Sequence, residues 1–252
     1  MSSNETAEQA TKLILRKAFS VPKSVRDPNE DSWCSREFPF GSLHAISDGA
    51  SVSFDPARWS DILARKFVAD PFVTHSWLKE AQLEFSEYFD REAMPWNLQA
   101  AYDVGTFASL LGVVVYEPGA TVMLLAIGDS LGVCYDGSRF VSSFPYQSEE
   151  QFKQRPKLLS TNLVDNDFYL SARSSFRESI QLWQLKDPVL LLMSDALGEW
   201  LLSSDNRDCF ADRVMNYSEA DFEEFVEAER AIGRLRRDDT TLLVIATDVL
   251  PG

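Results

Sequence analysis

Acidic residues recur at the edges of apolar segments in this chain, and their spacing has chemical content. Asp48 follows His44-Ala45-Ile46-Ser47, and Asp129 follows Leu124-Leu125-Ala126-Ile127-Gly128. Asp195 follows Leu190 to Ser194, and Asp238 stands just before Thr240 to Ala246. A further acidic pair, Glu30-Asp31, precedes Trp33. A single Asp in such a place ordinarily caps a helix or starts a turn, because its side chain bonds nearby backbone amides. Several of them at neighbouring strand ends have a different consequence. Carboxylates within a few ångströms of one another do not all stay ionised unless cations neutralise them. Hard oxygen ligands of this kind select Mg²⁺, Mn²⁺ or Ca²⁺ over zinc or copper. Gly49, directly after Asp48, offers its backbone carbonyl as a further ligand, since no Cβ obstructs the approach.

Other chemistries find less support. A GxSxG string does occur at Gly128-Asp129-Ser130-Leu131-Gly132, but it breaks a strand that Val133 to Tyr135 resumes and so lacks the strand-to-helix turn of a nucleophile elbow. Cys34, Cys134 and Cys209 are widely spaced and lack the CxxC pattern of a structural zinc site. Of the two histidines, His44 reads as a sheet residue and His75 as the start of a helix.

The elements that must position the acids can be read from periodicity. Leu13 to Val21 is a strand stopped by Pro22, and Ser24 to Ser32 is a polar loop. Ser42 to Ile46 is a short strand ending on the Ser47-Asp48-Gly49 turn. Asp55-Pro56 opens a helix carrying Trp59, Ile62, Leu63 and Phe67 at helical spacing, and a second helix covers His75 to Phe89. Phe107 to Tyr116 and Thr121 to Ile127 are strands joined by a turn at Glu117-Pro118-Gly119. Gly128-Asp129-Ser130 breaks the second strand, Val133 to Tyr135 resumes it, and Asp136-Gly137 turns the chain into Arg139 to Ser143. A polar excursion occupies about residues 148–176. Val189 to Met193 is a buried strand, Leu197 to Leu202 lies in a helix, and Ser218 to Arg230 is a capped acidic helix. Thr240 to Ala246 closes the chain as a strand. This order predicts one α+β domain over 1–252, with antiparallel sheets and segregated helices.

Composition sets the remaining bounds. A hydrophobic content of 45% with seventeen Phe and six Trp fills a sizeable core. The net charge of −15 argues against nucleic acid as the main partner, because phosphate backbones are held by an excess of Lys and Arg. No apolar run reaches the roughly 20 residues of a membrane helix. The polar N-terminus lacks a signal pattern, and the unpaired cysteine spacing suits reduced thiols, so the expected location is the cytoplasm.

Six motifs in order carry a resemblance to a known family. They are Asn29-Glu30-Asp31, Ser47-Asp48-Gly49, Gly105-Thr106-Phe107-Ala108, Gly128-Asp129-Ser130, Ser194-Asp195-Ala196-Leu197 and Asp238-Asp239-Thr240-Thr241. Together they resemble the motif set of the metal-dependent, type 2C protein Ser/Thr phosphatases, across about Phe19 to Thr247. Asp48-Gly49-Ala50-Ser51 and Ser143-Phe144-Pro145 are similar to the stand-alone bacterial members. The resemblance implies an α-β-β-α sandwich of two antiparallel sheets flanked by helices. It implies two or three Mn²⁺ or Mg²⁺ ions. Asp48 would bridge two of them, Glu30 and the Gly49 carbonyl would serve one side, and Asp195 and Asp238 would hold the other. Asp129 would bind a third ion, Asp31 would support the ligands from behind, and the excursion would be a flap beside the site. Arg26, four residues before Glu30, matches the place of a phosphate-binding Arg. The implied activity is hydrolysis of phosphate monoesters on phosphoproteins by a water activated between two cations. A phosphorylated protein is then the expected substrate and a cognate kinase a further expected partner. The sequence departs from the family at Ala50, Leu131 and Ala196, none of which removes an acidic ligand. The alternative is a weak or inactive phosphatase-fold binding module, whose expected sign, loss of the acidic ligands, is missing.

Overall fold

The computed structural model describes residues 12–116, 121–205 and 207–247. The expected turn at Glu117-Pro118-Gly119 lies outside the described residues. Among the described residues, twelve strands and seven α-helices follow one another in the order β1 (Leu13–Val21), β2 (Asp31–Phe38), β3 (Gly41–Asp48), α1 (Pro56–Ala69), α2 (His75–Ser86), α3 (Trp96–Val104), β4 (Phe107–Ala108), β5 (Leu110–Tyr116), β6 (Thr121–Ile127), β7 (Leu131–Asp136), β8 (Arg139–Phe144), β9 (Leu159–Ser160), α4 (Asp167–Leu170), β10 (Arg177–Gln181), β11 (Pro188–Met193), α5 (Asp195–Ser203), α6 (Phe210–Asn216), α7 (Glu219–Ala231) and β12 (Thr240–Thr247). Two five-stranded antiparallel sheets result, ordered β1-β12-β11-β7-β8 and β10-β6-β5-β3-β2, with β4 and β9 forming a separate short pair.

Strand periodicity explains the layering. In β12, Leu242, Val244 and Ala246 point to one side and Leu243 and Ile245 to the other. The second set meets Leu111, Val113, Val115 and Val122 of the facing sheet, so the two sheets pack on each other through an apolar layer. The first set is covered by Leu197, Trp200, Phe210, Phe222 and Val226 from α5, α6 and α7. On the opposite outer face, Trp59, Leu63, Phe67, Trp77 and Phe85 from α1 and α2 cover Leu43, Ala45, Leu110 and Val114. The architecture is the expected four-layer α-β-β-α sandwich.

Local chemistry sets the helix starts. Asp55 accepts from the Arg58 amide at 3.3 Å and Pro56 takes the first turn of α1. Thr74 caps α2, and Ser218 with Asp221 forms a reciprocal capping box on α7. The second helix ends at Ser86 rather than Phe89, and the expected strand over 107–116 is interrupted at Ser109. Strands β2 and β10 were not anticipated; both are sheet edges with largely polar sequences, DSWCSREF and RESIQ. Helix α3 buries none of its residues, so no apolar stripe announces it.

The excursion over 148–176 is anchored rather than loose. It contributes buried Leu159, Ser160, Asn166 and Tyr169. The Trp59 indole donates to the Leu159 carbonyl at 2.9 Å, and the Tyr169 hydroxyl donates to the Val73 carbonyl at 3.0 Å. Among the described residues no helix is long and apolar enough to cross a membrane.

Candidate metal centre

Register alone brings the acids to one end of the sandwich. Asp31 opens β2 directly opposite Asp48, the last residue of β3. In the other sheet Leu131 pairs with Met193 and Met193 with Leu242. The start of β7, the end of β11 and the start of β12 therefore coincide, and Asp129, Asp195 and Asp238 sit just beyond them.

Ser109 ties the two sheets' contributions together. Its amide donates to the Asp48 carbonyl at 2.8 Å, and its hydroxyl accepts from the Asp48 amide at 3.0 Å. The same hydroxyl lies 2.7 Å from the Ser130 hydroxyl, next to Asp129. Gly128 has φ +103°, and a Cβ there would stand 2.6 Å from the Ser109 Cβ, so only glycine admits this contact. Gly49 is constrained in the same way: a Cβ on it would stand 2.6 Å from the Pro56 carbonyl oxygen at the start of α1. Its lack of a side chain serves this close passage of backbone.

Asp195 is the first residue of α5, where the unpaired amides of a helix start favour negative charge. Ser194 before it is stitched to β12, its hydroxyl accepting from the Thr241 amide at 3.0 Å. Asp239 was not assigned a role from sequence and proves to be a strap. Its two oxygens accept from the Lys23 amide at 2.7 Å and the Glu30 amide at 2.9 Å, fixing the loop that carries Glu30. Arg230, buried on α7, completes the scaffold. Its guanidinium donates to the carbonyls of Pro22 and Asp238 and to the Thr240 hydroxyl. These tertiary partners leave no mark in local sequence pattern, which is why the strap and the buried Arg were not foreseen.

Electrostatically the acids share one site. Burial raises Asp48 well above the usual carboxylate range, and Asp31, Asp129 and Asp238 add to it while Arg236 opposes. Burial raises Asp129 too, with Asp238 adding. Asp31 is pushed to about 7, chiefly by burial, with Asp239 and Asp238 contributing. The nearby hydroxyls of Thr241 and Ser194 offset this only in part, and neither Asp31 oxygen makes a hydrogen bond of normal geometry. Asp195 Oδ1 is likewise buried without a partner.

Two side-chain cations stand among these acids. Lys23 reaches Glu30 and lies 3.8 Å from Asp239; Ser51 also donates to Glu30. Burial disfavours the Lys23 charge, but Glu30, Asp239 and Asp238 outweigh it and raise its pKa. Arg236 pairs with Asp195, with Glu199 at 3.3 Å and with Asp238 at 3.7 Å. Among the described residues, no three acidic, histidine or cysteine side chains stand close enough to form a ready-made ion cage. The donor set nevertheless suits a hard divalent cation: all oxygen, largely buried, with carboxylate atoms left unsatisfied.

The remaining candidates fall apart from this cluster. Arg26 is exposed on the loop between β1 and β2, and among the described residues its side chain pairs with no carboxylate. His44 is buried between the hydroxyls of Ser35 and Ser42, each 2.8 Å away, and is depressed to about 4 by burial. The three cysteines are free thiols.

No protein-family model matches the sequence, and no curated protein matches it. Solved structures do match the fold. A bacterial serine phosphatase aligns over 96% of this chain and all of its own, with a TM-score of 0.60 and 16% identity. The serine/threonine phosphatase Stp1 from Staphylococcus aureus aligns over 95% of this chain and 96% of its own, with a TM-score of 0.59 and 17% identity. RsbX, in complex with magnesium, aligns over 92% of this chain and 94% of its own, with a TM-score of 0.50 and 12% identity. At such identities the likeness establishes the fold: this chain folds as the stand-alone bacterial Ser/Thr phosphatases do.

Proposed function

We propose that this protein is a metal-dependent phosphoprotein Ser/Thr phosphatase, with Mn²⁺ or Mg²⁺ held by Asp48, Asp195 and Asp238. The observation that carries the reading is the gathering of acids from both sheets at one edge of a phosphatase fold, with buried carboxylate oxygens left unpartnered. Glu30 and the Gly49 carbonyl would complete one side of the centre, and Asp129 would hold a more peripheral ion. Divalent cations, when bound, activate water as a nucleophile and neutralise the phosphoryl oxygens.

The chain's own groups set the rest. Asp31, opposite Asp48 across β2 and β3, would add negative charge beside a bound cation, although burial raises its carboxyl to about 7 without one. Ser109 and Asp239 fix the backbones from which Asp48 and Glu30 project. Arg26, exposed on the loop that leads to Glu30, would contact the phosphate of an incoming peptide. Neither histidine serves the leaving group: His44 is fully buried and His75 starts α2.

The pairing of Lys23 and Arg236 with the acids favours a second reading, a phosphatase-fold module that binds a phosphoprotein without turning it over. Hydrolysis of a phosphoserine peptide separates the two. Release of phosphate with added Mn²⁺ or Mg²⁺, lost in excess chelator, supports the enzyme. Saturable peptide binding with no release under any metal supports the module. A panel of small phosphoesters, hydrolysed in preference to the peptide, would redirect the substrate to small molecules.

A further inference from the structure

Arg236 occupies an unusual place for a cation. It lies in the turn before β12, two residues ahead of Asp238, and its guanidinium faces Asp195 and Asp238 at once. Those are the two acids assigned above to one metal position. Its charge is felt by Asp48 and Asp129 as well. The third partner, Glu199, sits one helical turn beyond Asp195 on α5, at 3.3 Å.

This arrangement has a built-in exit. The Arg236 side chain is 39% exposed, so solvent reaches it and little packing holds it. Glu199 is also outside the set of candidate ligands. The guanidinium can therefore leave Asp195 and Asp238 and keep one ion pair, with a displacement of roughly one helical pitch, about 5 Å. Lys23 differs on each count. Its side chain is 20% exposed, and the ammonium is enclosed by Glu30, Ser51 and Asp239.

We propose that Arg236 is a displaceable internal counter-ion of the metal centre, neutralising Asp195 and Asp238 in the metal-free protein and moving onto Glu199 when a divalent cation takes those acids. This rests on the reading of the acids as metal ligands. Metal binding is then a competition, and Arg236 sets its affinity. A free carboxylate pair would bind more tightly but would leave the metal-free site with uncompensated repulsion.

Calorimetric titration with Mn²⁺ at fixed ionic strength tests the proposal without reference to turnover. Wild type, Arg236→Ala, Arg236→Gln and Arg139→Ala would be compared. Arg139 is an exposed cation on β8 paired with Asp136, and its removal changes the net charge equally. Removing the Arg236 ion pairs with Asp195 and Asp238, which solvent screens on the Arg236 side, should tighten Mn²⁺ binding roughly tenfold in both Arg236 variants. Arg139→Ala should bind as wild type does. Melts in chelator should place Arg236→Ala below wild type, because the repulsion is unmasked. Equal or weaker binding by the Arg236 variants would overturn the counter-ion role, as would equal tightening by Arg139→Ala, which is a net-charge effect. No saturable Mn²⁺ binding by any of the four proteins would instead overturn the metal centre itself. Arg236→Gln removes the charge while keeping a polar, partly extended side chain, so the comparison survives if the Ala variant folds poorly.

Discussion

At the residue scale, the acids of the site are unequal. Asp48 feels Asp31, Asp129 and Asp238 at once, which marks it as the centre of the cluster. Asp48→Asn and Asp195→Asn should each lower phosphopeptide turnover by more than roughly a hundredfold, beyond the usual effect of a supporting group. Asp129→Asn should slow the reaction and leave Mn²⁺ stoichiometry at the other positions intact. A near-wild-type rate for Asp48→Asn would sink the assignment. Asp31 allows a test by pH in the metal-free protein. Its carboxyl is held at about 7 in the fold against 3.8 in the open chain, so its proton stabilises the fold. That contribution is complete below about pH 4 and is lost as pH rises through 7. Urea melts in chelator at pH 5 and pH 8 should show Asp31→Asn gaining on wild type across the interval. Parallel behaviour of the two proteins would mean that Asp31 is not buried as described. Asp48, Asp129, Asp195 and Asp238 could all be picked out from sequence because each stands at the edge of an apolar run. Asp239, Lys23, Ser109 and Arg236 could not, since each gains its role from a partner far along the chain.

At the scale of elements, the site depends on how β3 meets α1. The chain turns at Gly49 against Pro56, and a Cβ there would press on the Pro56 carbonyl carbon at 2.7 Å as well as its oxygen. Gly49→Ala must therefore shift either the helix start or the strand end that carries Asp48. We expect a stability loss of about 1–3 kcal/mol, as for other overpacked sites. Mn²⁺ affinity should fall as well, because the Asp48 carboxylate moves with the backbone. A variant with unchanged melting and unchanged Mn²⁺ titration would show that the passage is looser than it looks. The strands that flank this junction were legible in part. Strands β1, β3, β6, β11 and β12 carry enough apolar residues to be read directly. Strands β2 and β10, at a sheet edge, bury too little to show a clear alternation, though β2 supplies Asp31.

At the scale of the whole molecule, the surplus of negative charge is not spread evenly, since one end of the sandwich concentrates acids from both sheets. A cation that binds only the folded chain stabilises it by about 2.7 kcal/mol at a hundredfold excess over its dissociation constant. For a domain of this size the melting temperature should rise by roughly 5–10 °C. Asp48→Asn should lose most of that rise while melting no lower than wild type in chelator, because a repulsive charge is gone. Equal shifts in the two proteins, as a nonspecific salt effect would give, defeat the shared site. The layered architecture was recoverable from sequence because apolar strands alternate with amphipathic helices over most of the chain. The anchoring of residues 148–176 was not, since Tyr169 and Asn166 lie in a polar context and find their partners only in three dimensions.

That anchoring links the excursion to the acids through main chain alone. The Ser109 amide donates to Asp48, the Ala50 amide to Phe107 at 2.9 Å, and the Thr161 amide to Thr106 at 3.0 Å, with β4 paired to β9 between them. The three amides hang on one short ladder, so they should open as a unit. In deuterium-labelling terms, Ala50, Ser109 and Thr161 should exchange at one common rate in the metal-free protein. Mn²⁺ should slow all three together, Thr161 included, although that residue is far in sequence from every candidate ligand. Slowing at Ala50 and Ser109 alone would mean that the excursion breathes independently of the site it borders.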